Sequence, residues 1–271
     1  MIARRTFLAT TTAAALAAAP ALAAPASRLI AGPWQSFGGT TAMDHSAWAG
    51  FLSRHVRPGA DGVARVDYAA AKGDHAALEG YVAQLEATDP TQLSRDAAMA
   101  YWINLYNAKT VDIILDNYPV ASIRDIGGGL FSRGPWDDEV VTVAGQRLSL
   151  NDIEHGILRP VWGDPRIHYA VNCASIGCPD LAAQPYTGAN LQGMLDQAAR
   201  TYVNHPRGAR VDGGRLTVSS IYEWYQSDFG ASDQGVIAHL RQYAEPGLAG
   251  QLASVSSVYD DAYDWSLNDV R

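Results

Sequence analysis

The segment SRDAAMAYWINLYNAKTVDIILDNYP, residues 94–119, carries the longest run of helical periodicity in the chain. Ser94 or Asp96 can cap its start, and Pro119 lies just beyond its end, where a helix stops. Asn104 and Asn107 are three apart and share one side of this helix. They stand among Trp102, Ile103, Leu105 and Tyr106, residues of core type. A buried amide without a partner costs about 1–3 kcal/mol, so each Asn calls for a specific partner. Two partners fit: the backbone of a neighbouring loop or, in a catalytic reading, a histidine to orient or an oxyanion to stabilise.

Other periodic segments predict helices over 45–56, 74–88, 188–206 and 233–244. Residues 151–161 read as a short helix with Asn151 and Glu154 at capping-box spacing, and 219–229 start a helix with Ser220 and Glu223 in the same roles. EVVTVAGQRLSL (139–150) is a hairpin around Ala144-Gly145, and ARVDGGRLTVS (209–219) is a second hairpin around Gly213-Gly214. Residues 62–74 suggest a short strand and turn, and RIHYAVNC (166–173) reads as a strand. Residues 24–42 look like a loosely structured lead-in. Helices and hairpins in this order predict an α+β fold, with helices packed on a small, mainly antiparallel sheet.

The N-terminus pairs Arg4-Arg5 with an Ala-rich apolar run and a small-residue site at Ala21-Leu22-Ala23. This is the layout of a twin-arginine export signal, 1–23, and predicts a periplasmic or secreted protein. The apolar run is shorter than the roughly 20 residues a spanning helix needs, and no later segment is a candidate span. Residues 24–89 are then an N-terminal helical segment that forms one globular unit with a core over 90–271. The formal net charge is −8, with no basic run after the signal, which argues against nucleic acid as a partner. The Gly127–Gly129 run lacks the G-x-x-x-x-G-K-[ST] pattern and reads as a flexible loop. No cofactor is expected.

The chain has two cysteines, both within IHYAVNCASIGCPDL (167–181). Too few for a disulfide scaffold, they allow one Cys173–Cys178 disulfide in an oxidising compartment. On a regular strand His168 would face away from Cys173, which leaves His155, on another element, as the candidate base. Glu154 precedes His155 but does not face it on a helix, and a carboxylate there also suits the helix dipole. Cys173 sits where a strand gives way to small residues, a place where a nucleophile can meet backbone N–H donors. The cysteines with His155 and His168 do not form a recognised zinc spacing, so no metal is expected.

The runs YWINLYNA, LSLNDIEHGILRP and RIHYAVNCASIGCPDL, with Tyr186 and SSIYEWYQSDF, resemble the domain of unknown function 547 family over roughly 90–230. The resemblance implies that the Asn104/Asn107 helix, Glu154-His155 and the Cys173 turn belong to one shared core. It also implies variation at the Cys178 position among relatives, and it carries no activity. The leading expectation is a thiol-dependent hydrolase or acyltransferase acting on a small-molecule or peptide substrate. Cys173 is its nucleophile and His155 its base. Asn104 or Asn107 orients the histidine or stabilises an oxyanion, with Glu154 beside them. Two alternatives stand: a non-catalytic binding domain with a Cys173–Cys178 disulfide, and a metal- or redox-dependent protein.

Overall fold

The computed structural model describes residues 25–127 and 134–270. Residues 1–23, expected from the sequence to be an export signal, and Gly128 and Gly129 of the glycine run lie outside the described residues. The long helix forms as expected: α4 spans Arg95–Asn117, and the Ser94 side chain accepts from the Ala97 N–H at its start. It is buried along almost its whole length. Against it pack α3 (His75–Glu86) and α6 (Leu191–Val203), with α1 (Ser46–His55) packed on α3, all within the predicted segments.

The fold is α+β, with three small sheets among the described residues. β1 (Val56–Pro58) pairs with β2 (Ala64–Val66), and α2 (Tyr68–Ala71) follows. β3 (Glu139–Val143) and β4 (Gln146–Ser149) form the first predicted hairpin. Ala144 at φ 50° and Gly145 at φ 77° make its turn, the double left-handed geometry that two-residue hairpin loops favour. β5 (Ala209–Asp212) and β6 (Arg215–Ser219) form the second hairpin, through Gly213 and Gly214. A parallel strand then joins β6: β7 (Val258–Ala262), reached through α7 (Ser220–Trp224), α8 (Asp233–Tyr243) and α9 (Pro246–Leu252). The larger core draws side chains from Trp34 through Leu267, and a smaller one lies under α6, α8 and β6.

Four local expectations fail for identifiable reasons. Residues 166–173 are not a strand. Asp164 caps a 3₁₀ turn over Pro165–Tyr169 by accepting from Arg166 N–H, and Pro is well suited to the first position of such a turn. Among the described residues no strand pairs with it; instead the Asn107 side chain bonds Ala170 O and Asn172 N–H. The capping box before Glu154 sits two residues earlier. Ser149 Oγ accepts from Asp152 N–H at 3.0 Å while Asp152 accepts from Ser149 N–H at 2.9 Å. Asn151 is already helical and donates to Asp137 instead. At α7 the cap is Ser219, which accepts from Ile221 N–H, whereas Ser220 donates to Asp261. Finally, the lead-in is anchored: Trp34 is buried and meets the Trp102 ring edge-on at 5.4 Å.

The segment after β4 is a π-helix, Asp152–Leu158, which runs into α5 (Arg159–Trp162). Arg159 N–H reaches back five residues to the Glu154 carbonyl. Pro160 has no N–H to give to Gly156 or His155. Those two carbonyls accept instead from a strap near the N-terminus: Arg28 N–H donates to His155 O at 3.0 Å and Ile30 N–H to Gly156 O at 3.1 Å. Gly156 permits the approach, because a Cβ there would stand 2.8 Å from Ile30 Cγ2. The wide π turn thus places Glu154 and His155 in the interior with their backbone satisfied from outside the helix.

Candidate functional site

Both helix amides clamp loops. Asn104 donates to Tyr186 O at 2.7 Å and accepts from Tyr186 N–H at 3.1 Å. Asn107 donates to Ala170 O and accepts from Asn172 N–H, both at 2.8 Å. A single side chain therefore fixes the three residues that lead into Cys173. Asn172 continues the work: it donates to Pro179 O at 2.6 Å and accepts from Ala174 N–H at 2.9 Å. Ala174 is held at φ 60°, a left-handed conformation that costs an alanine roughly 1 kcal/mol or more. The turn over 172–179 is thus tied at both ends, and it brings the two cysteines together.

Cys173 and Cys178 are free thiols with their sulfurs 3.2 Å apart. Cys173 N–H also donates to Cys178 Sγ at 3.1 Å. Cys173 is half-buried and Cys178 buried. Ser175 Oγ lies 3.2 Å and Tyr263 OH 3.1 Å from Cys173 Sγ, and these two hydroxyls meet each other at 2.9 Å. The hydrogen bond shared with Cys178 lowers the Cys173 pKa; burial opposes it, and Ser175 and Tyr263 add to the lowering. Burial pushes Cys178 well up, and the thiolate character of its neighbour pushes the same way. The pair is therefore asymmetric: a half-buried thiol whose pKa is drawn down, and a buried one whose pKa is pushed up.

Glu154 and His155 belong to a different network. Arg159 is its centre. Its Nε and Nη2 grip Asp228 at 2.7 and 3.0 Å, and its Nη1 donates to Pro25 O at 2.8 Å and to His155 Nδ1 at 3.1 Å. His168 stands between two carboxylates, Nε2 at 2.8 Å from Asp228 and Nδ1 at 3.5 Å from Glu154. The Tyr225 ring stacks on His168 at 4.1 Å and lies 4.9 Å beneath the Arg159 guanidinium. Glu154 is buried, which raises its pKa, but the charges of His155, His168 and Arg159 draw it down to about 2. Burial lowers His155, and its Nδ1 accepts from Arg159. His155 is not among the hydrogen-bond partners of Cys173, and the Glu154 charge opposes the Cys173 thiolate.

The expected residues therefore fall into three groups. Asn104 and Asn107 hold loops, Glu154 and His155 join a buried charge network, and Cys173 pairs with Cys178. The partners that complete these groups are Arg159, His168, Asp228, Ser175 and Tyr263. Asp228 and Tyr263 lie 69 residues from Arg159 and 90 from Cys173, a separation that no local pattern reports. Neither cysteine lines the cavity of about 410 Å³ between the 180–186 loop, α6 and Arg207. The described residues also bring His75, Glu79 and Asp112 together, but His75 and Lys109 already occupy the two Asp112 oxygens at 2.7 and 2.6 Å.

Residues 90–203 match the family model described as "Protein of unknown function, DUF547". This stretch contains the Asn clamps, Glu154-His155 and both cysteines, so the resemblance read from the motifs holds for that part of the chain. Comparisons with curated proteins and with solved structures returned no match. Among the described residues no helix is long and apolar enough to cross a membrane.

Proposed function

We propose that the chain acts by thiol–disulfide exchange, with Cys173 as the attacking sulfur and Cys178 as the resolving one. The observation that carries this reading is the 3.2 Å approach of two thiols whose acidities are driven in opposite directions. A disulfide needs about 2.05 Å between sulfurs, so closure requires only a small shift within the six-residue segment Cys173–Cys178. The thiolate is the reactive form, and a depressed pKa raises its share near neutrality. Acyl transfer would need a base against Cys173. The groups in contact with it are another thiol and two hydroxyls.

The chemistry balances with a partner disulfide as oxidant. The Cys173 thiolate attacks one sulfur of R–S–S–R′, forming the Cys173–S–R bond, and R′–S⁻ leaves. Cys178 then loses its proton and attacks the Cys173 sulfur, and R–S⁻ leaves as the Cys173–Cys178 bond forms. Two electrons pass to the partner, and the two thiol protons end on the two leaving thiolates. The reverse direction delivers a disulfide. The periplasmic or secreted location expected from the N-terminus is a compartment where such partners occur. The family resemblance implies variation at the Cys178 position, so this activity is assigned to this chain and not to its relatives.

The test is trapping. Reduced protein treated with a small disulfide reagent is expected to release both halves of the reagent and to end with an internal Cys173–Cys178 bond. Cys178→Ala is expected to stop at a stable mixed disulfide on Cys173. A wild-type protein that also stops at the mixed disulfide would overturn the proposal.

A further inference from the structure

Cys173 Sγ closes a triangle with two hydroxyls. Ser175 Oγ lies 3.2 Å and Tyr263 OH 3.1 Å from the sulfur, and the two oxygens are 2.9 Å apart. Among the described residues, the hydrogen bonds of these hydroxyls run only to each other and to the sulfur. Ser175 is 1% exposed, and most side-chain hydrogen bonds go to backbone or water instead. The remaining neighbour of the sulfur is Cys178 Sγ, at 3.2 Å.

The triangle is held from outside. Tyr263 follows β7, and the chain beyond it lies along the cysteine turn. Gly177 N–H donates to Asp264 O and Ile176 N–H to Ser266 O, both at 2.8 Å, and Asn268 N–H donates to Ala174 O at 3.1 Å. Gly177 permits this approach, because a Cβ there would stand 2.7 Å from Asp264 N. The Tyr263 ring packs against Trp265 at 4.6 Å and Trp224 at 4.8 Å. Burial pushes the Tyr263 pKa well above the usual tyrosine value, so the hydroxyl keeps its proton and stays a donor.

Thiol–disulfide exchange has little use for such donors, because a departing thiolate, with a pKa of about 8.5, is a stable anion near neutrality. A departing oxygen differs. Water has a pKa of about 15.7, so hydroxide must gain a proton or strong hydrogen bonds as it leaves. Fixed donors at the point where that charge develops are the usual means. The three groups within 3.2 Å of the sulfur also leave the least displacement to the smallest oxidant.

Resting on the dithiol reading, we infer that the disulfide this site passes on is made by hydrogen peroxide at Cys173, with Tyr263 and Ser175 as donors to the departing oxygen. The Cys173 thiolate attacks one peroxide oxygen; the S–O bond forms and the O–O bond breaks. The departing hydroxide takes the proton given up by the Cys173 thiol, relayed through the two hydroxyls, and leaves as water. Cys178 then loses its proton and attacks the Cys173 sulfur. The S–O bond breaks, and the second hydroxide leaves with that proton as water. The dithiol gives up two electrons, and one peroxide becomes two waters. Exchange in the disulfide-donating direction returns both cysteines to thiols.

The experiment uses the reduced protein with hydrogen peroxide and, for comparison, bis(2-hydroxyethyl) disulfide. Rates at Cys173 are read by quenched alkylation and mass. Each is divided by the rate of 2-mercaptoethanol with the same oxidant, both per thiolate, which removes acidity and intrinsic reactivity. The normalised peroxide rate is expected to exceed the normalised disulfide rate by about tenfold or more. The wild type should end as the internal disulfide, and Cys178→Ala should stop at a sulfenic acid on Cys173 that dimedone traps. Tyr263→Phe and Ser175→Ala should each lower the normalised peroxide rate by about tenfold and the disulfide rate by less than about twofold. Wild-type normalised rates that agree within about twofold, or variants that slow both oxidants alike, would overturn the inference and leave the dithiol exchange standing. Failure of Cys173 to close a bond to Cys178 with either oxidant would overturn both.

Discussion

Replacing Asn107 by Ala should do two things that replacing Asn104 does not do together. Asn107 is 2% exposed, and its amide satisfies Ala170 O and Asn172 N–H at 2.8 Å each. Alanine leaves both backbone groups buried without a partner, at about 1–3 kcal/mol each. The expected loss is about 2–5 kcal/mol. Asn104, 1% exposed and doubly bonded to Tyr186, carries a similar stake. Urea unfolding of the reduced protein reads this as a midpoint shift of about 1–2 M for either variant, at an m-value of about 2–3 kcal/mol/M. The difference lies at the thiol. Asn107 fixes the residues leading into Cys173, and Asn104 fixes a loop that does not touch it. Once the turn loosens, the hydrogen bonds that stabilise the thiolate weaken. The pH midpoint of Cys173 alkylation by iodoacetamide should therefore rise in Asn107→Ala and hold in Asn104→Ala. A midpoint shift in urea below about 0.3 M for Asn107→Ala, or equal movement of the alkylation profile in both variants, would refute this account of the two amides.

Three further outcomes follow from the same geometry. Burial lowers His239 to about 4 against its usual 6.5, so it folds neutral, and stability present above pH 6.5 should be lost as pH falls towards 4. The full effect is about 3 kcal/mol, and denaturation across that window should flatten in His239→Gln. Glu154 is held at about 2 against 4.5, so its contribution, also about 3 kcal/mol, should be lost between about pH 4.5 and 2; Glu154→Gln should remove that acid limb. Gly156→Ala would drive a Cβ to 2.8 Å from Ile30 Cγ2 and should release the strap, seen as faster hydrogen exchange at the Arg28 and Ile30 amides, with Ile30→Ala restoring part of the protection.

The readable parts of the chain were those with local causes. The Ser94 cap and the periodicity after it placed α4 almost to the residue, and the paired turn residues Ala144-Gly145 and Gly213-Gly214 placed both hairpins. The α+β class followed from those elements. The parallel pairing of β7 with β6 depends on contacts across α7, α8 and α9, and nothing in its own acidic sequence predicts it. The 166–173 segment alternates like a strand, yet a side chain on α4 satisfies its backbone. The π-helix was hidden because a Pro at 160 and a Gly at 156 make sense only with the strap beside them. At the site, Cys173 and Cys178 were legible as a pair by spacing. Their hydroxyl partner Tyr263 was not, because it arrives from 90 residues away. Nor was the separate network of His155, whose Nδ1 accepts from Arg159 rather than facing the thiol.

The most direct test of the central claim is the redox equilibrium of the protein in glutathione buffers of graded ratio, read by differential alkylation and intact mass. The account predicts one reversible transition in which Cys173 and Cys178 lose reactivity together and the protein loses the mass of two hydrogens, with Cys173 the first to alkylate on the reducing side. Cysteines that titrate independently, a disulfide that forms between two copies of the chain, or a Cys178 that alkylates ahead of Cys173 would contradict it.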